Sequence, residues 1–262
     1  MKADTSEITC DRRAGVALIT LNRPQARNPL SLSFAASLLD LLDELERDDS
    51  VSVIVLTGAG SVFCSGAQLG EVVSIDGIDS EIQLRNIRGF SKVVQRLRDL
   101  DLPVVAALNG PAVGGGAALA LACDIAIGSD QATYFFAFGR VGAGANDMGC
   151  AYFLPKLVGA ARARHWLLTG ATVSADEAYK AGLLIEVTPP DRLIDRALEI
   201  AQSVTAASPR RAAAVTKLAI NRGEDADLQT CLSYEVYLQT FLFTRDEHKD
   251  RLKTLLTRLG SG

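Results

Sequence analysis

A wound α/β domain followed by a helical layer is the fold class this sequence predicts, and three observations predict it. Two short, β-branched, wholly apolar runs, Val51–Thr57 and Val104–Leu108, read as strands covered by helices on both faces. Segments with apolar residues at helical spacing separate and follow them. After Gly149 the texture changes to one helix after another, with Leu184–Val187 the one further strand. The 262 residues suffice for a full core in one domain, or in one domain plus an appendage. With 48% hydrophobic and 22% charged residues, a disordered chain is excluded.

Taken in order, Glu7–Cys10 and Val16–Leu21 flank Gly15 as a short hairpin. Ser31 or Ser33 can cap a helix whose Leu38, Leu39, Leu41, Leu42 and Leu45 recur at helical spacing up to Asp48 and Asp49. Thr57–Gly70 is a glycine-containing loop, and Ser80–Leu100 an amphipathic helix ended by Pro103. Gly114, Gly115 and Gly116 open an alanine-rich helix to Cys123, and Asp124–Gly128 is a third strand. Tyr152–Leu157, Ala160–Leu168, Ala175–Ala181, Asp191–Ala206, Pro209–Asn221 and Asp227–Leu259 read as helices, with a capping box at Ser174 and Glu177. The last carries an apolar stripe of Leu228, Leu232, Val236, Leu238, Phe241 and Leu242, which should dock on the protein's own core or on a neighbouring subunit.

Composition removes several functions. The 27 Lys and Arg are spread among 31 Asp and Glu for a net charge of −4, which offers nucleic acid no basic footprint. Apolar stretches such as Val51–Leu56 and Ala117–Ala122 fall far short of the roughly 20 residues that span a bilayer, so no membrane insertion is expected. Met1–Arg13 lacks the apolar core of a signal peptide, which makes the cytoplasm the expected location. The cysteines at 10, 64, 123, 150 and 231 read as buried thiols in a reducing compartment, without disulfides. Cys64 and Cys150 have no histidine or lysine close in sequence to activate them. Only two histidines exist, His165 in an arginine-rich helix, packed or at a subunit contact, and His248 on a solvated helix face; neither sits at metal-ligand spacing. Chemistry is left to carboxylates and backbone dipoles.

Two glycine loops sit between an apolar strand and a helix: Phe63-Cys64-Ser65-Gly66-Ala67-Gln68-Leu69 and Asn109-Gly110-Pro111-Ala112-Val113-Gly114-Gly115-Gly116. A glycine run that opens a helix exposes free N–H groups at the positive end of the helix dipole, where a phosphate or an oxyanion can be held. The competing reading is a tight helix–sheet contact. No Gly-Lys-Ser/Thr follows, so this is not a Walker A loop.

These residues, together with Leu21-Asn22-Arg23-Pro24-Gln25-Ala26-Arg27-Asn28, Ala122-Cys123-Asp124 and Leu154-Pro155-Lys156-Leu157-Val158-Gly159, resemble the crotonase superfamily of enoyl-CoA hydratases and isomerases along nearly the whole chain. The resemblance implies a crotonase spiral of repeated ββα units at 1–200 carrying an acyl-CoA site, and a helical C-terminal region at 201–262 that builds a homotrimer or a dimer of trimers. It implies an oxyanion hole made by the N–H groups of Ala67 and Gly115, with Arg23, Ala26, Arg27, Gly66, Gln68, Leu69, Gly114 and Phe138 around the thioester and its coenzyme A. Arg258 would approach the phosphates from the adjacent subunit. Coenzyme A enters as part of the substrate, with no separate cofactor. Two such donors stabilise the negative charge that a thioester carbonyl develops on enolisation, and one alone is worth about 3–4 kcal/mol in other enzymes.

One departure from the family is decisive for mechanism. The two glutamates of the water-adding pair would fall at Ala118 and Phe138, neither of which exchanges a proton. Asp147, in a glycine-rich segment after Phe135, Phe136 and Phe138, remains. Its position resembles that of the aspartate in dienoyl-CoA isomerases, which shuttles a proton, and in 4-chlorobenzoyl-CoA dehalogenases, which attacks as nucleophile. The assisting histidine of the latter would fall near Ser91 and is absent. Capping of a helix that starts near Met148 is the structural alternative for Asp147. Three functions stay open: isomerase- or hydratase-type proton transfer on an enolate, a hydrolase- or dehalogenase-type reaction at Asp147, and a non-catalytic acyl-CoA-binding subunit. Glu71 and Asp76 read as solvated, and Tyr134 and Tyr152 as buried aromatics.

Overall fold

A computed structural model describes residues 6–72 and 79–260; Asp76 lies outside the described residues. β1 (Ile8–Arg13) and β2 (Val16–Leu21) form the expected antiparallel hairpin, turned at Ala14 and Gly15 with positive φ at both. Of the two candidate caps, Ser31 is the one used: its Oγ accepts the Phe34 N–H at 2.9 Å and starts α1 (Leu32–Arg47), which ends at Asp48. β3 (Val53–Gly58) is buried at every position. The Asp79 carboxylate caps α2 (Ser80–Asp99), and β4 (Val104–Leu108) follows, again wholly buried.

From here the chain winds. β5 (Pro111–Val113) leads into α3 (Gly115–Leu121), then β6 (Ile125–Ser129) and β7 (Thr133–Phe135). After an exposed segment come α4 (Cys150–Val158), α5 (Ala160–Thr169), β8 (Thr172–Ser174), α6 (Ala175–Ala181) and β9 (Glu186–Thr188). The main sheet has the order β1-β2-β3-β4-β6-β9, parallel from β2 onward; β5, β7 and β8 form a second, small sheet. Periodicity did not reveal these last three strands because three residues each are too few to carry a period of two.

Both faces of β3 and β4 are covered, as their composition required. Ile54, Leu56, Val104, Ala106 and Leu108 belong to the main core with α1, α2 and α3. Val53, Val55, Val105 and Ala107 meet Leu193, Ala197, Ile200 and Ala201 of α7 (Leu193–Ala207). α8 (Arg210–Gly223) is tied down by the buried Lys217, whose Nζ donates to Leu97 O, Leu102 O and the Asp124 carboxylate at 2.6, 3.0 and 2.9 Å. Asp124 in turn accepts the Val104 N–H at 2.7 Å, so the aspartate of the Ala122-Cys123-Asp124 motif anchors the start of the central strand β4 beside β6.

The single last helix expected over Asp227–Leu259 is instead two. α9 (Leu228–Phe243) stops at Thr244, and the acidic pair Asp246 and Glu247 opens α10 (Asp246–Leu259), at the end of a helix where carboxylates are favoured. Arg251 of α10 donates to the carbonyls of Ala206 and Ala207 at the end of α7. The apolar stripe does not dock on the protein's own core: no residue of α9 or α10 is buried, and Leu228, Leu232, Val236 and Phe241 are exposed. Cys64, Cys123 and Cys150 are buried thiols as expected, whereas Cys10 and Cys231 are only half-buried, since β1 is an edge strand and α9 lacks cover.

Candidate active site

The two glycine loops are stitched to each other. Phe63 N–H and Cys64 N–H donate to Pro111 O at 3.1 and 3.2 Å, and Val113 N–H donates to Cys64 O at 2.9 Å. On its other side the first loop is held by Leu30, which donates to Gly66 O at 2.8 Å and accepts from Gln68 N–H at 2.9 Å. The second loop is held by β7, through Gly114 N–H to Phe135 O at 2.8 Å. The glycines permit this approach. A Cβ on Gly66 would stand 2.6 Å from Val113 O and 3.4 Å from Gly115 N, and one on Gly116 would stand 2.4 Å from Cys64 O.

Tight packing nevertheless leaves two amides over. Neighbouring amides are consumed by these bonds, but the N–H groups of Ala67 and Gly115 donate to no acceptor among the described residues. Gly115 is the first residue of α3, where an N–H has no partner within the helix. Two free donors thus sit on adjoining loops, and a pair of N–H groups aimed at one point can hold an oxyanion.

Several polar side chains that the sequence did not single out build this cradle. Asn28, buried at φ +52, donates from Nδ2 to Ala59 O, Val62 O and Phe63 O at 2.9, 2.7 and 3.3 Å and accepts the Arg23 N–H at Oδ1. Asparagine tolerates the left-handed region better than most residues, and an Arg-Asn pair after proline is the local signal that could have found it. Asn109 bridges the loops by accepting from Gly58 N–H and donating to Gly60 O. Glu7 accepts from Arg23, Ser31 and Ser33. Glu71, read as solvated, instead accepts the Leu32 N–H at 3.0 Å and so caps α1 beside Ser31, a long-range contact that spacing cannot show.

The expected rim residues fall into two groups. Arg23 is half-buried between Glu7 and Gln68 Oε1, the latter at 2.8 Å. Ala26, Arg27 and Leu69 are exposed, and Arg27 has no ion-pair partner among the described residues; its carbonyl accepts the Ser65 N–H, which places it beside the first loop. Arg258 stands on exposed α10, away from the contacts that join these loops.

Phe138 is brought to the site, with Cε1 3.9 Å from the place of a Gly114 Cβ. Its two neighbours are not. Phe136 is sealed in the core between the rings of Tyr134 and Trp166, at 6.4 and 6.3 Å, and Phe135 lies under the Arg140 guanidinium. Ala118 is wholly buried one turn into α3.

Asp147 occupies the turn before α4, which closes through Cys150 N–H to Asp147 O at 3.0 Å. Its side chain does not cap α4, whose N-cap is Gly149. The turn puts two left-handed residues, Met148 and Gly149, between Asp147 and the helix, so the carboxyl cannot reach the helix amides. Met148 Sδ lies 3.0 Å from the place of a Gly115 Cβ, which sets the turn directly against the free amide. Burial pushes the Asp147 carboxyl above its ordinary range, opposed only by the Met148 N–H. Burial likewise pushes the Cys64 and Cys150 thiols up to about 12, which removes both as nucleophiles.

The remaining candidates are elsewhere. Tyr134 is buried as expected, but Tyr152 is exposed and its hydroxyl bonds Asp225, because α4 turns that face outward. His165 is exposed rather than packed, since Ala163 and Trp166 take the inner face of α5. His248 is half-buried against the Phe243 ring at 4.7 Å, where the break before α10 folds it back. Among the described residues no helix is long and apolar enough to cross a membrane.

The enoyl-CoA hydratase/isomerase family model matches residues 11–258. The chain belongs to this family. It is 39% identical over 231 residues to a 4-chlorobenzoyl coenzyme A dehalogenase of Arthrobacter, covering 87% of this chain and 83% of the relative. It is 34% identical to a short-chain-enoyl-CoA hydratase of Clostridium acetobutylicum over 97% of this chain and 96% of that one. The crystal structure of an enoyl-CoA hydratase from Bacillus anthracis superposes with a TM-score of 0.91 at 31% identity, over 97% of each chain. The fold is therefore the crotonase spiral that the motifs implied, and the protein is an enzyme of the hydratase/isomerase family.

Proposed function

We propose that this enzyme moves a proton on the enolate of an acyl-CoA thioester. The thioester carbonyl oxygen accepts from the N–H groups of Ala67 and Gly115. The Asp147 carboxylate takes a proton from a carbon of the acyl chain, the bonding pair moves onto that oxygen as an enolate, and the proton returns to another carbon as the carbonyl re-forms. Coenzyme A comes and goes with the substrate, and Arg27 lies free at the rim to meet its phosphates. The observation that carries this reading is the pair of unpaired amides on interlocked loops, with a desolvated carboxyl on the turn packed against one of them. A carboxyl with a raised pKa is a stronger base once ionised, which suits abstraction of a weakly acidic C–H proton.

A second reading has its own support. The dehalogenase relatives at 39% identity favour attack by Asp147 on the acyl group as nucleophile. One experiment separates the two: saturated, enoyl, dienoyl, aryl and haloaryl thioesters incubated in heavy water with wild type and Asp147→Asn, followed by mass spectrometry. Deuterium on the acyl carbons with wild type alone supports proton transfer; loss of halide or of the acyl group supports the second reading and overturns the first. No mass change, and no displaced double bond in the NMR spectrum of the acyl chain, in any thioester that binds overturns both and leaves a binding subunit.

We infer further that 201–262 is the assembly region and builds a homotrimer or a dimer of trimers. The exposed Leu228, Leu232, Val236 and Phe241 of α9 support this, with Leu252, Leu255, Leu256 and Leu259 of α10. Arg258 would then reach the site of a neighbour. Sedimentation of wild type against a Leu232→Glu, Val236→Glu double variant tests it: a wild-type monomer overturns the inference, and a trimer or hexamer that the variant dissociates supports it.

A further inference from the structure

Met148 holds a backbone conformation that residues with side chains rarely adopt, φ +47, and is nevertheless buried. It is a central residue of the turn closed by Asp147 O and Cys150 N–H, and the other, Gly149 at φ +82, has no choice of residue, because a Cβ there would meet the Phe153 ring at 2.5 Å. Met148 has a choice, since glycine would sit in the same turn without strain. Strain of this kind persists only where the surroundings hold the residue in place. What holds it is the site: Sδ lies 3.0 Å from the place of a Gly115 Cβ, and Leu30 Cδ1 lies 2.9 Å from the same point. With Phe138 over Gly114 and Ala118 wholly buried one turn further on, a thioether, an isobutyl group and a phenyl ring pack around the two glycines that open α3.

We propose that Met148 determines acyl specificity, its thioether standing beside Gly115 as a stop to the acyl chain, so that the enzyme takes compact, apolar acyl groups and excludes long ones. This rests on the acyl-CoA reading above. The unbranched, polarisable thioether adapts to its neighbours, and removing it opens room beside Gly115 without substituting either residue that carries a free amide. A purely structural Met148 would affect stability and leave discrimination between acyl groups unchanged.

The test is binding of CoA, acetyl-CoA, hexanoyl-CoA and octanoyl-CoA by titration calorimetry to wild type, Met148→Gly, Met148→Ala and Met148→Leu, with a melting curve for each. Wild type should bind acetyl-CoA more tightly than octanoyl-CoA. Met148→Gly and Met148→Ala should bind octanoyl-CoA about tenfold more tightly than wild type, the equivalent of one or two further buried methylenes, with CoA and acetyl-CoA unchanged. Met148→Leu, close in volume, should keep the wild-type order. Melting temperatures that shift while the order of affinities stays the same in every folded variant would overturn the proposal, as would a wild type indifferent to chain length. Failure of folded wild type to bind CoA or any thioester would instead overturn the acyl-CoA reading itself.

Discussion

The two glycine loops and the segment 139–149 that adjoins them hold their shape in different ways. In the loops, carbonyls and amides are bonded from one loop to the other, Asn28 and Asn109 fill the gaps, and the glycines have backbone atoms against them. In the segment 139–149, residues 141 to 144 are exposed, and Gly139 and Gly142 have open space around them. The rigid part presents two generic hydrogen-bond donors, which every enolate-forming reaction of a thioester can use. The looser part presents the one carboxyl and the one strained side chain, to which the proposals above assign the reaction and its acyl preference. Generic binding has been built into the core and particular chemistry onto its margin, where residues can change without unfolding the sheet.

The largest effect should come from the margin. Asp147→Asn is expected to lower thioester turnover about 10²- to 10⁴-fold, the usual contribution of one positioned acid–base group, with thioester affinity retained. The same variant should be more stable than wild type at neutral pH. The folded-state pKa is raised, so the native protein binds more protons than the unfolded chain, and wild-type stability falls as pH rises from 3.8 through the folded value. The gap between the two urea midpoints should therefore be widest above that range and close below it. Equal midpoints at all pH values would mean that the carboxyl is not desolvated.

A matched pair of substitutions sharpens the contrast. Gly66→Ala puts a Cβ 2.6 Å from the Val113 carbonyl oxygen at φ +82, and should cost on the order of 3 kcal/mol in urea denaturation together with thioester affinity. Gly142→Ala has the same kind of backbone, φ +72, with nothing within 4 Å, and should cost about 1 kcal/mol. Similar costs would erase the distinction between the regions. Asn28→Ala, which strands the carbonyls of Ala59, Val62 and Phe63, should cost about 2 kcal/mol.

The smallest effect belongs to a clamp outside both regions. Arg96 binds Asp43 at 2.7 Å and both oxygens of Glu46, joining α2 to α1, and Arg96→Ala should cost about 0.5–1 kcal/mol at neutral pH. Burial pushes the Glu46 carboxyl up, but its bonds to Arg96 and the Asp101 N–H outweigh that and leave it below its ordinary 4.5. The wild-type advantage is thus present above pH 4.5 and should fade as pH falls through the folded value. An advantage that persists in acid would assign it to packing by the arginine stem.

Long elements were legible because their signal is local. α1, α2, β3 and β4 follow from periodicity, caps and β-branched runs, and the Ser31 cap is a matter of three residues. The family, and the two amides that the structure leaves unpaired, followed from loop motifs whose glycines are read directly. The sequence by itself thus determined the long elements other than the last, the crotonase spiral and the loops that carry the free donors. Only the tertiary structure decided that Glu71 caps α1 across 39 residues, that Phe136 stacks in the core while Phe138 reaches the site, and that the last helix breaks at Thr244. It also decided that Asp147 does not cap α4 and that Met148 folds back onto Gly115. The reason is physical: helix and strand propensity are written over a few neighbouring residues. Which partner a side chain meets depends on surfaces brought together from distant parts of the chain.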